Sequence, residues 1–410
     1  DGNQVTTGTA LAGAQFVLKE KDGSYYNSTT NAFDSAEADA SIFTSDANGK
    51  VSTGASLILK DKQWYEFYEV DSAVSTSQAQ TDPASEIYHY LNNPVVSVYA
   101  SVWTYKYDSY DIKQVLQEGK ESASAYNYKV PTPTKKADDV DLDAGQEVTY
   151  TITQQIPLDV AQYTKFALVD TYDANLELVS TETDILGSVK IGGSTQASVT
   201  PTFSTGTNEF TVSFDHPAQL ATFAGQTLTF EATLKLKPGA DLAAAVNNEI
   251  KFDNNFVPKK DQEIVKTYGK TFVKEDADTG KELAGAEFKV KRGDDYMINT
   301  DGVITWGTEA QATVLTSDAE GKFSVAGLAR TDANENVIQY TLVETKAPDG
   351  YVALDDITFE ADNGKTVLTV VNKLKGTLPM TGGMGLTIFL AAGLTILATG
   401  VFYFVRRKRA

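Results

Sequence analysis

The chain has 410 residues and a formal net charge of −20, with 35 lysines and arginines against 55 aspartates and glutamates. This acidity argues against a nucleic-acid partner and against binding to an anionic surface. With no cysteine and two widely separated histidines, the chain has no disulfide, no paired-histidine metal site and no Ser-His catalytic set, so we expect no metal and no cofactor.

Most of the chain has the pattern of β-structure. Stretches rich in valine, threonine, phenylalanine and tyrosine alternate with turns of aspartate, asparagine and glycine, and helical periodicity is scarce before the C-terminal segment. A chain of this length exceeds what one hydrophobic core supports, so we expect several β-domains in a row.

An internal repeat relates the two ends of this β-region. Residues 11–50 and 283–322 align without a gap at an offset of 272, and 17 of the 40 positions are identical. Residues 64–70 match residues 339–345 after a shift of three residues. Two copies of one all-β module therefore flank a different middle region.

In the first copy, the strand at 64–70 places one acid among apolar residues. Glu69 shares a strand face with Phe67, and it aligns with Glu344 of the second copy. No lysine occurs before Lys19 in the sequence given, so either this module has lost its lysine or the lysine lies before the start of this sequence.

The middle region, residues 129–264, places polar side chains in phase with apolar ones. Asp170 and Asn248 each share a strand face with apolar residues two and four positions away. Near the first strand of the region, Lys136 is in phase with the apolar residues that follow it, and Lys135 is the alternative.

The third region, residues 265–376, shows the same pattern. Lys274 shares a face with Phe272, Glu344 follows two apolar residues on its face, and Asn372 is the one polar member of its face. An unpaired buried charge costs several kcal/mol, so we expect these three side chains to meet.

From the residues alone, two interpretations of such a Lys–acid–Asn set stay open. One is a buried ion pair with a hydrogen-bonded asparagine. The other is an intramolecular isopeptide bond, for which burial would leave both the amine and the acid neutral. The acid would then polarise the carboxamide, the amine would attack it, and the acid would pass a proton to the departing ammonia.

The C-terminal segment, residues 377–410, has an anchoring pattern. Its short motif consists of Leu378, Pro379, Met380, Thr381 and Gly382. An apolar run of about twenty residues follows, enough for a helix to cross a bilayer, and a basic cluster closes the chain. We expect a C-terminal transmembrane helix with the preceding residues outside the cell. Since the chain opens on polar residues, we also expect a signal peptide to be missing from its start.

These motifs resemble those of sortase-assembled backbone pilins of Gram-positive bacteria. LPMTG with its span and basic tail is similar to an LPxTG sorting signal, and LAGAxF, TSDxxGK and YTLVETKAPDGY resemble Cna-B domains. Residues 141–178 resemble the Cna-A-like middle domain of such pilins. The resemblance implies an all-β chain of tandem Ig-like sandwiches. Its expected parts are an N-terminal Cna-B-like domain at 1–128, a Cna-A-like domain at 129–264, a Cna-B domain at 265–376 and the sorting signal at 377–410.

The resemblance also implies the isopeptide interpretation for the third region. There Lys274 would be joined to Asn372, with Glu344 as the catalytic acid. We predict no isopeptide bond within residues 1–128, because the position aligned with Lys274 is Gly2.

By the same logic, we predict a bond in the middle region between Lys136 and Asn248, with Asp170 as the catalytic acid. At the sorting signal, the resemblance implies that a sortase cysteine cuts between Thr381 and Gly382 and that Thr381 is then joined to an amine.

Shaft pilins carry an acceptor lysine in a VYPK-like motif, and this chain has no YPK sequence. Lys129 follows a tyrosine in YNYKVPTPTK, and the alternation turns it away from Tyr128 and Val130. We predict Lys129 as the inter-subunit lysine, the alternative being an ordinary surface lysine.

The leading functional hypothesis is a secreted, cell wall-anchored pilus shaft subunit that supports adhesion and is not an enzyme. Its expected partners are polymerising and housekeeping sortases, other copies of itself, ancillary pilins, peptidoglycan and a host or matrix ligand. The alternative is an ancillary pilin or a monomeric wall adhesin. A wall-anchored enzyme is the weakest hypothesis, because the sequence shows no convergent catalytic set apart from the self-cross-linking ones.

Overall fold

The computed structural model describes most of the chain before the sorting signal. The described residues are 8–53, 57, 59–60, 63–90, 94–100, 106–107, 110–111 and 125–376. The sorting motif Leu378–Gly382 and the expected transmembrane helix lie outside them. Within the described ranges, no helix has the length and apolar character needed to cross a bilayer.

The chain separates into two compact units. The first comprises residues 1–138, 147–235 and 247–264, and the second comprises 139–146, 236–246 and 265–410. The three-domain division drawn from the sequence stays a prediction.

The N-terminal part of the first unit is built on one antiparallel sheet of order β3-β2-β1-β5-β8, with β4 also paired to β1. Leu18, Tyr26, Phe43 and Tyr65 form its apolar cluster. The strands are β1 Gln15–Glu20, β2 Tyr25–Asn27, β3 Ala32–Ser35, β4 Phe43–Thr44, β5 Gln63–Val70, β6 Ser75–Thr76, β7 Tyr88–His89, β8 Pro94–Ala100, β9 Lys106–Tyr107 and β10 Tyr110–Asp111, with a 3-10 turn at Glu37–Asp39.

The rest of the first unit is a sandwich of two antiparallel sheets, ordered β11-β12-β18-β14 and β16-β17-β13-β19-β20. Burial alternates residue by residue along β12, β18 and β19, as expected for strands with one face in a core. The elements are β11 Thr134–Ala137, β12 Glu147–Gln155, β13 Phe166–Tyr172, β14 Leu176–Leu178, α1 Glu182–Ser188, β15 Lys190–Ile191, β16 Thr202–Gly206, β17 Glu209–Ser213, β18 Thr227–Leu236, β19 Val246–Asn254 and β20 Lys259–Val265, with 3-10 turns at Val160–Gln162 and Pro217–Phe223.

In the second unit, two sheets enclose one core. Their orders are β26-β21-β29 and β24-β23-β22-β27-β28. The first and last strands, β21 and β29, pair in parallel, whereas the other strand pairs of this unit are antiparallel. The elements are β21 Tyr268–Asp276, β22 Glu287–Arg292, β23 Asp295–Thr300, β24 Val303–Gly307, β25 Leu315–Thr316, β26 Lys322–Leu328, β27 Tyr340–Lys346, β28 Ile357–Phe359 and β29 Asn363–Asn372, with a 3-10 turn at Glu309–Gln311.

Stacked aromatic rings fill the centre of this second core. Phe323 stacks on Phe272 at 4.8 Å and on Phe288 at 4.4 Å between ring centroids. All three rings are buried, and such pairs add to the stabilisation from apolar burial. The two sheets thereby present closely packed inner faces, so a polar side chain on these faces has little access to water.

Asp143 explains why residues 139–146 belong to the second unit. Its carboxylate accepts hydrogen bonds from Arg292 at 2.9 Å, from the Trp306 indole N–H at 2.7 Å and from the Ala329 N–H at 2.8 Å. The Arg292 guanidinium also lies over the Trp306 ring. A buried carboxylate with three donors is satisfied in place, which fixes this segment.

The sequence repeat is also a structural repeat. Phe16 of β1 lies opposite Glu69 of β5, and Phe288 of β22 lies opposite Glu344 of β27. In both copies, the serine of the TSD turn accepts the N–H of the alanine two residues before that phenylalanine and donates to a leucine carbonyl. The described residues form an all-β architecture, which confirms the predicted fold class.

Candidate functional site

In the second unit, the parallel pairing of β21 and β29 brings the predicted lysine and asparagine to neighbouring strands. Lys274 lies opposite Val370, and Asn372 is two residues farther along β29 on the same inner face. Both side chains are fully buried. The Lys274 ammonium nitrogen donates to the Val370 carbonyl at 2.9 Å.

Glu344 reaches this pair from the opposite sheet. Its Oε2 accepts the Asn372 amide at 2.8 Å and the Leu354 N–H at 2.8 Å, and the Asn372 amide also donates to the Val352 carbonyl at 2.6 Å. Glu344 Oε1 and Asn372 Oδ1 are buried, with no hydrogen-bond partner among the described residues. The acid and the carboxamide are therefore in direct contact, and each has one free oxygen in the core.

Burial changes the protonation of Lys274. Desolvation lowers the pKa of its amine to about 8, although the neighbouring charges of Glu344, Asp276 and Glu275 act in the opposite direction. At pH 7, about a tenth of such amines are neutral and therefore nucleophilic.

Of the two adjacent lysines on β11 in the middle region, Lys135 is the buried one. Its ammonium group is fully buried and pairs with the Asp170 carboxylate, whereas Lys136 is exposed. The choice of Lys136 is therefore corrected. Strand β11 ends at Ala137 and the chain bends at Asp138, so the alternation counted back from later apolar residues does not carry into the strand.

The middle site has a different layout from the one in the second unit. Asp170 on β13 lies opposite Ile250 on β19, which places Asn248 two residues along on the same inner face. Lys135 comes from the opposite sheet, and its nitrogen lies 4.8 Å from the centre of the Tyr150 ring. No sequence pattern predicts this aromatic contact.

Burial shifts both ionisable groups of this site toward neutrality. It raises the pKa of Asp170, while the Lys135 charge and the nearby Asn248 amide lower it. Burial also lowers the pKa of Lys135, against the opposing effect of Asp170. Asp170 Oδ1 and both polar atoms of the Asn248 amide are buried without a hydrogen bond of ordinary geometry to any described residue.

In the first copy of the repeat, Glu69 is buried and contacts an asparagine that the sequence analysis missed. The Asn127 amide donates to Glu69 Oε1 at 2.5 Å, and the Ser75 hydroxyl donates to the same oxygen at 2.6 Å. The repeat could have predicted this asparagine. Asn372 ends the last strand of the third region, and Asn127 lies at the corresponding end of the first region.

Lys129 lies at the surface, with 44% of its side chain exposed. Its nitrogen donates to Glu86 at 2.7 Å and lies 4.9 Å from the centre of the Tyr88 ring. The hydrogen bond to Glu86 raises the pKa of the Lys129 amine. The Lys129 side chain is therefore accessible to solvent, and the hydrogen bond to Glu86 restrains its amine.

The two adjacent lysines of β11 allow a matched test of the middle site. Lys135→Ala leaves Asp170 buried without its partner and should reduce the free energy of unfolding by about 3 kcal/mol or more. Lys136→Ala removes an exposed side chain and should change it by less than about 0.5 kcal/mol. Denaturant titration of both variants makes the comparison, and equal losses would contradict the assignment of Lys135.

The pKa of Lys274 predicts how stability depends on pH when no cross-link can form. Burial lowers the pKa of the free Lys274 amine to about 8, below the ordinary lysine value of 10.5, and Asn372→Ala should keep this amine free because it removes the carboxamide. Above pH 8 the unfolded chain binds more protons than the folded one, so stability should rise between about pH 8 and 9.5. Denaturation at several pH values measures this rise. It should be absent when Lys274→Met is added, and a rise that survives in the double variant would contradict the assignment.

Two family models match the C-terminal part of the chain. Residues 270–374 match the SpaA prealbumin-like fold domain, and residues 371–410 match the LPXTG cell wall anchor motif. Among curated proteins, the fimbrial subunit type 2 of Actinomyces naeslundii is 31% identical over 144 residues, which cover 29% of this chain and 26% of that protein. The chain thus spans about a quarter of the length of this curated relative.

Solved structures of major pilins share the fold over nearly the whole chain. The major pilin BcpA of Bacillus cereus superposes with a TM-score of 0.54 at 20% identity, covering 90% of this chain and 97% of BcpA. The major pilin SpaD of Corynebacterium diphtheriae superposes with a TM-score of 0.54 at 18% identity, covering 92% of this chain and 93% of SpaD. At these identities, the likeness concerns the fold.

This chain thus carries a SpaA prealbumin-like fold domain followed by an LPXTG cell wall anchor motif, is similar over part of its length to a fimbrial subunit, and shares the fold of solved major pilins.

Proposed function

We propose that this chain is the shaft subunit of a pilus that a sortase polymerises and attaches to peptidoglycan, and that intramolecular Lys–Asn isopeptide bonds reinforce it. The observation that carries the proposal is the major-pilin fold over 90% of the chain together with an anchor motif at residues 371–410. The shaft would support adhesion through ancillary pilins or through a host ligand.

In the third region, the proposed bond joins Lys274 to Asn372. The neutral amine attacks the Asn372 carboxamide carbon, the new C–N bond forms, and the old C–N bond breaks to release ammonia. Glu344 contacts the carboxamide at 2.8 Å, so it can polarise the group and carry the proton to the leaving nitrogen. The closed core holds the reacting groups together, which lowers the entropic barrier.

In the middle region, the proposed bond joins Lys135 to Asn248, with Asp170 in the acid role. The Lys135–Asp170 contact supports proton transfer between the two groups, and burial shifts both pKa values toward the neutral pair. Asn248 lies on the strand next to Asp170 and on the same face. Asn248 is fully buried, and its amide interacts with Asp170, the acid that would polarise it.

Glu344→Ala is expected to stop the third-region reaction. A tryptic map of the unmodified protein should contain peptide 271–281, uncut at Lys274, linked to peptide 366–373, with a mass one ammonia below their sum. The variant should give linear peptides cut after the free Lys274 and should unfold more easily, because a cross-link that closes a loop of nearly a hundred residues contributes roughly 4–5 kcal/mol. Glu360→Ala, which removes an exposed glutamate of the same unit, serves as the control. A linked peptide that persists in Glu344→Ala would show that the proton shuttle is another group.

For assembly, the proposed acceptor is Lys129. Sortase would form a thioacyl intermediate at Thr381 of one subunit, and the Lys129 amine of the next subunit would resolve it. The contact joins different surfaces of identical subunits, so it propagates as a fibre. Glu86 raises the pKa of Lys129, but the carboxylate can also accept the proton that the attacking amine must lose.

We expect Lys129→Ala to abolish the high-molecular-weight ladder in wall extracts while monomer stays attached to the wall. Thr381→Ala should abolish both, because no acyl intermediate forms. Lys136→Ala, an exposed lysine nearby in the sequence, should leave the ladder unchanged. A ladder that persists in Lys129→Ala would move the acceptor to another lysine. A single monomer band from the unmodified protein would favour the ancillary pilin or monomeric adhesin.

A further inference from the structure

The first region contains a buried cluster that the proposed polymerisation and the lysine cross-links do not use. Ser75 is fully buried and donates its hydroxyl proton to Glu69 Oε1 at 2.6 Å. The Asn127 amide donates to the same oxygen at 2.5 Å. One carboxylate oxygen therefore contacts both a hydroxyl and a carboxamide nitrogen. Glu69 and Ser75 are buried, and Asn127 is partly buried.

Backbone pairing fixes each member of the cluster. Glu69 lies near the end of β5, where it faces Phe16 of β1. Ser75 begins β6, which pairs in parallel with β7. Asn127 immediately precedes Tyr128, whose N–H and carbonyl exchange hydrogen bonds with His89 of β7 at 3.1 and 2.9 Å. The three side chains thus converge from three segments: a strand of the main sheet, a strand of the two-stranded β6–β7 sheet, and the segment bridged to β7 at His89.

Ser72 orients the serine. The Ser72 hydroxyl oxygen accepts the Ser75 N–H at 3.1 Å and lies 3.2 Å from the Ser75 hydroxyl oxygen. Since the Ser75 proton is directed to Glu69, the Ser72 hydroxyl can donate to Ser75. Because the Ser75 hydroxyl donates its hydrogen bond to Glu69, the carboxylate is placed to take this proton when a lone pair of Ser75 Oγ attacks.

The contacts match the requirements of an acyl transfer from the amide to the hydroxyl. A general base must touch the proton of the nucleophile, and the same group must then protonate the leaving nitrogen. Burial raises the pKa of Glu69, although its hydrogen bonds from Ser75 and Asn127 lower it, so its carboxylate is a stronger base than an exposed one. A buried site also protects an ester product from hydrolysis.

We propose that Ser75 and Asn127 form an intramolecular ester cross-link with Glu69 as the proton carrier. Ser75 Oγ attacks Asn127 Cγ while Glu69 takes the hydroxyl proton. The Cγ–Nδ2 bond then breaks as Glu69 returns that proton to the nitrogen, and one ammonia leaves. The products are a serine–asparagine ester, ammonia and the regenerated carboxylate.

The cluster corresponds to the lysine site in the third region, with a serine hydroxyl in place of the lysine amine. Glu69 and Glu344 face equivalent phenylalanines and each contacts an asparagine amide, so the acid and the electrophile correspond. The nucleophile differs, because no described lysine hydrogen-bonds Glu69, whereas Ser75 does. The proposal therefore agrees with the absence of an isopeptide bond expected for residues 1–128.

Peptide mapping of the unmodified full chain tests the ester. After denaturation at mildly acidic pH and digestion with trypsin, Ser75 falls in the peptide 63–106 and Asn127 in the peptide 121–129. We expect one linked species whose mass is the sum of the two peptides minus one ammonia. Hydroxylamine, which cleaves esters but leaves amides intact, should convert it to peptide 63–106 and a hydroxamate of peptide 121–129.

Two serine variants provide the controls. Ser97→Ala, which changes an exposed serine of β8 in the same tryptic peptide, should keep the linked species. Ser75→Ala should give linear peptide 121–129 with an intact asparagine. Two linear peptides from the unmodified chain would overturn the proposal, as would a linked species that resists hydroxylamine. Loss of ammonia from an unlinked peptide 121–129 would also overturn it, since that product is a cyclic imide at Asn127.

Discussion

The cost of burying ionisable groups inside β-sandwich cores governs this molecule. Lys135 and Asp170 are both fully enclosed, and each would be strongly disfavoured if it were charged and alone. Pairing offsets part of the desolvation cost, and a shift to the neutral amine and the neutral acid offsets more of it. The proposed reaction removes the lysine charge permanently, because an amine and a carboxamide become one uncharged amide. Burial would then promote the reaction, because it favours the neutral amine and acid. The reaction would in turn remove the free-energy cost of burying the lysine charge.

The same three functional groups are arranged in two topologically different ways. In the second unit, the lysine and the asparagine lie on adjacent parallel strands and the acid comes from the facing sheet. In the middle region, the acid and the asparagine lie on adjacent antiparallel strands and the lysine comes from the facing sheet. The proposed Lys274–Asn372 bond would join β21 and β29, which are neighbours in one sheet and the first and last strands of the unit in chain order. The proposed Lys135–Asn248 bond would join two facing sheets. The chemistry requires contact between the groups and not a particular strand order.

The two copies of the repeat share a scaffold but place different side chains beside the buried acid. The Phe–Glu register and the serine that anchors the TSD turn are the same in both. A strand contributes Lys274 next to Asn372 in the third region, whereas the hydroxyl of Ser75 approaches Glu69 in the first. The acid and the amide belong to the shared scaffold, and the nucleophile is what differs between the copies.

The sequence by itself determined the all-β class, the repeat and the inward faces of Lys274 and Asn372, because side-chain alternation is a local property of a long, regular strand. It could not choose correctly between Lys135 and Lys136, since β11 is short and a bend at Asp138 interrupts the alternation beyond it. Only the tertiary structure decided which sheet supplies each group. Only the tertiary structure also brought Asn127 to an acid 58 residues earlier in the chain. Such contacts depend on how strands are ordered and paired across long sequence separations, which no local pattern records.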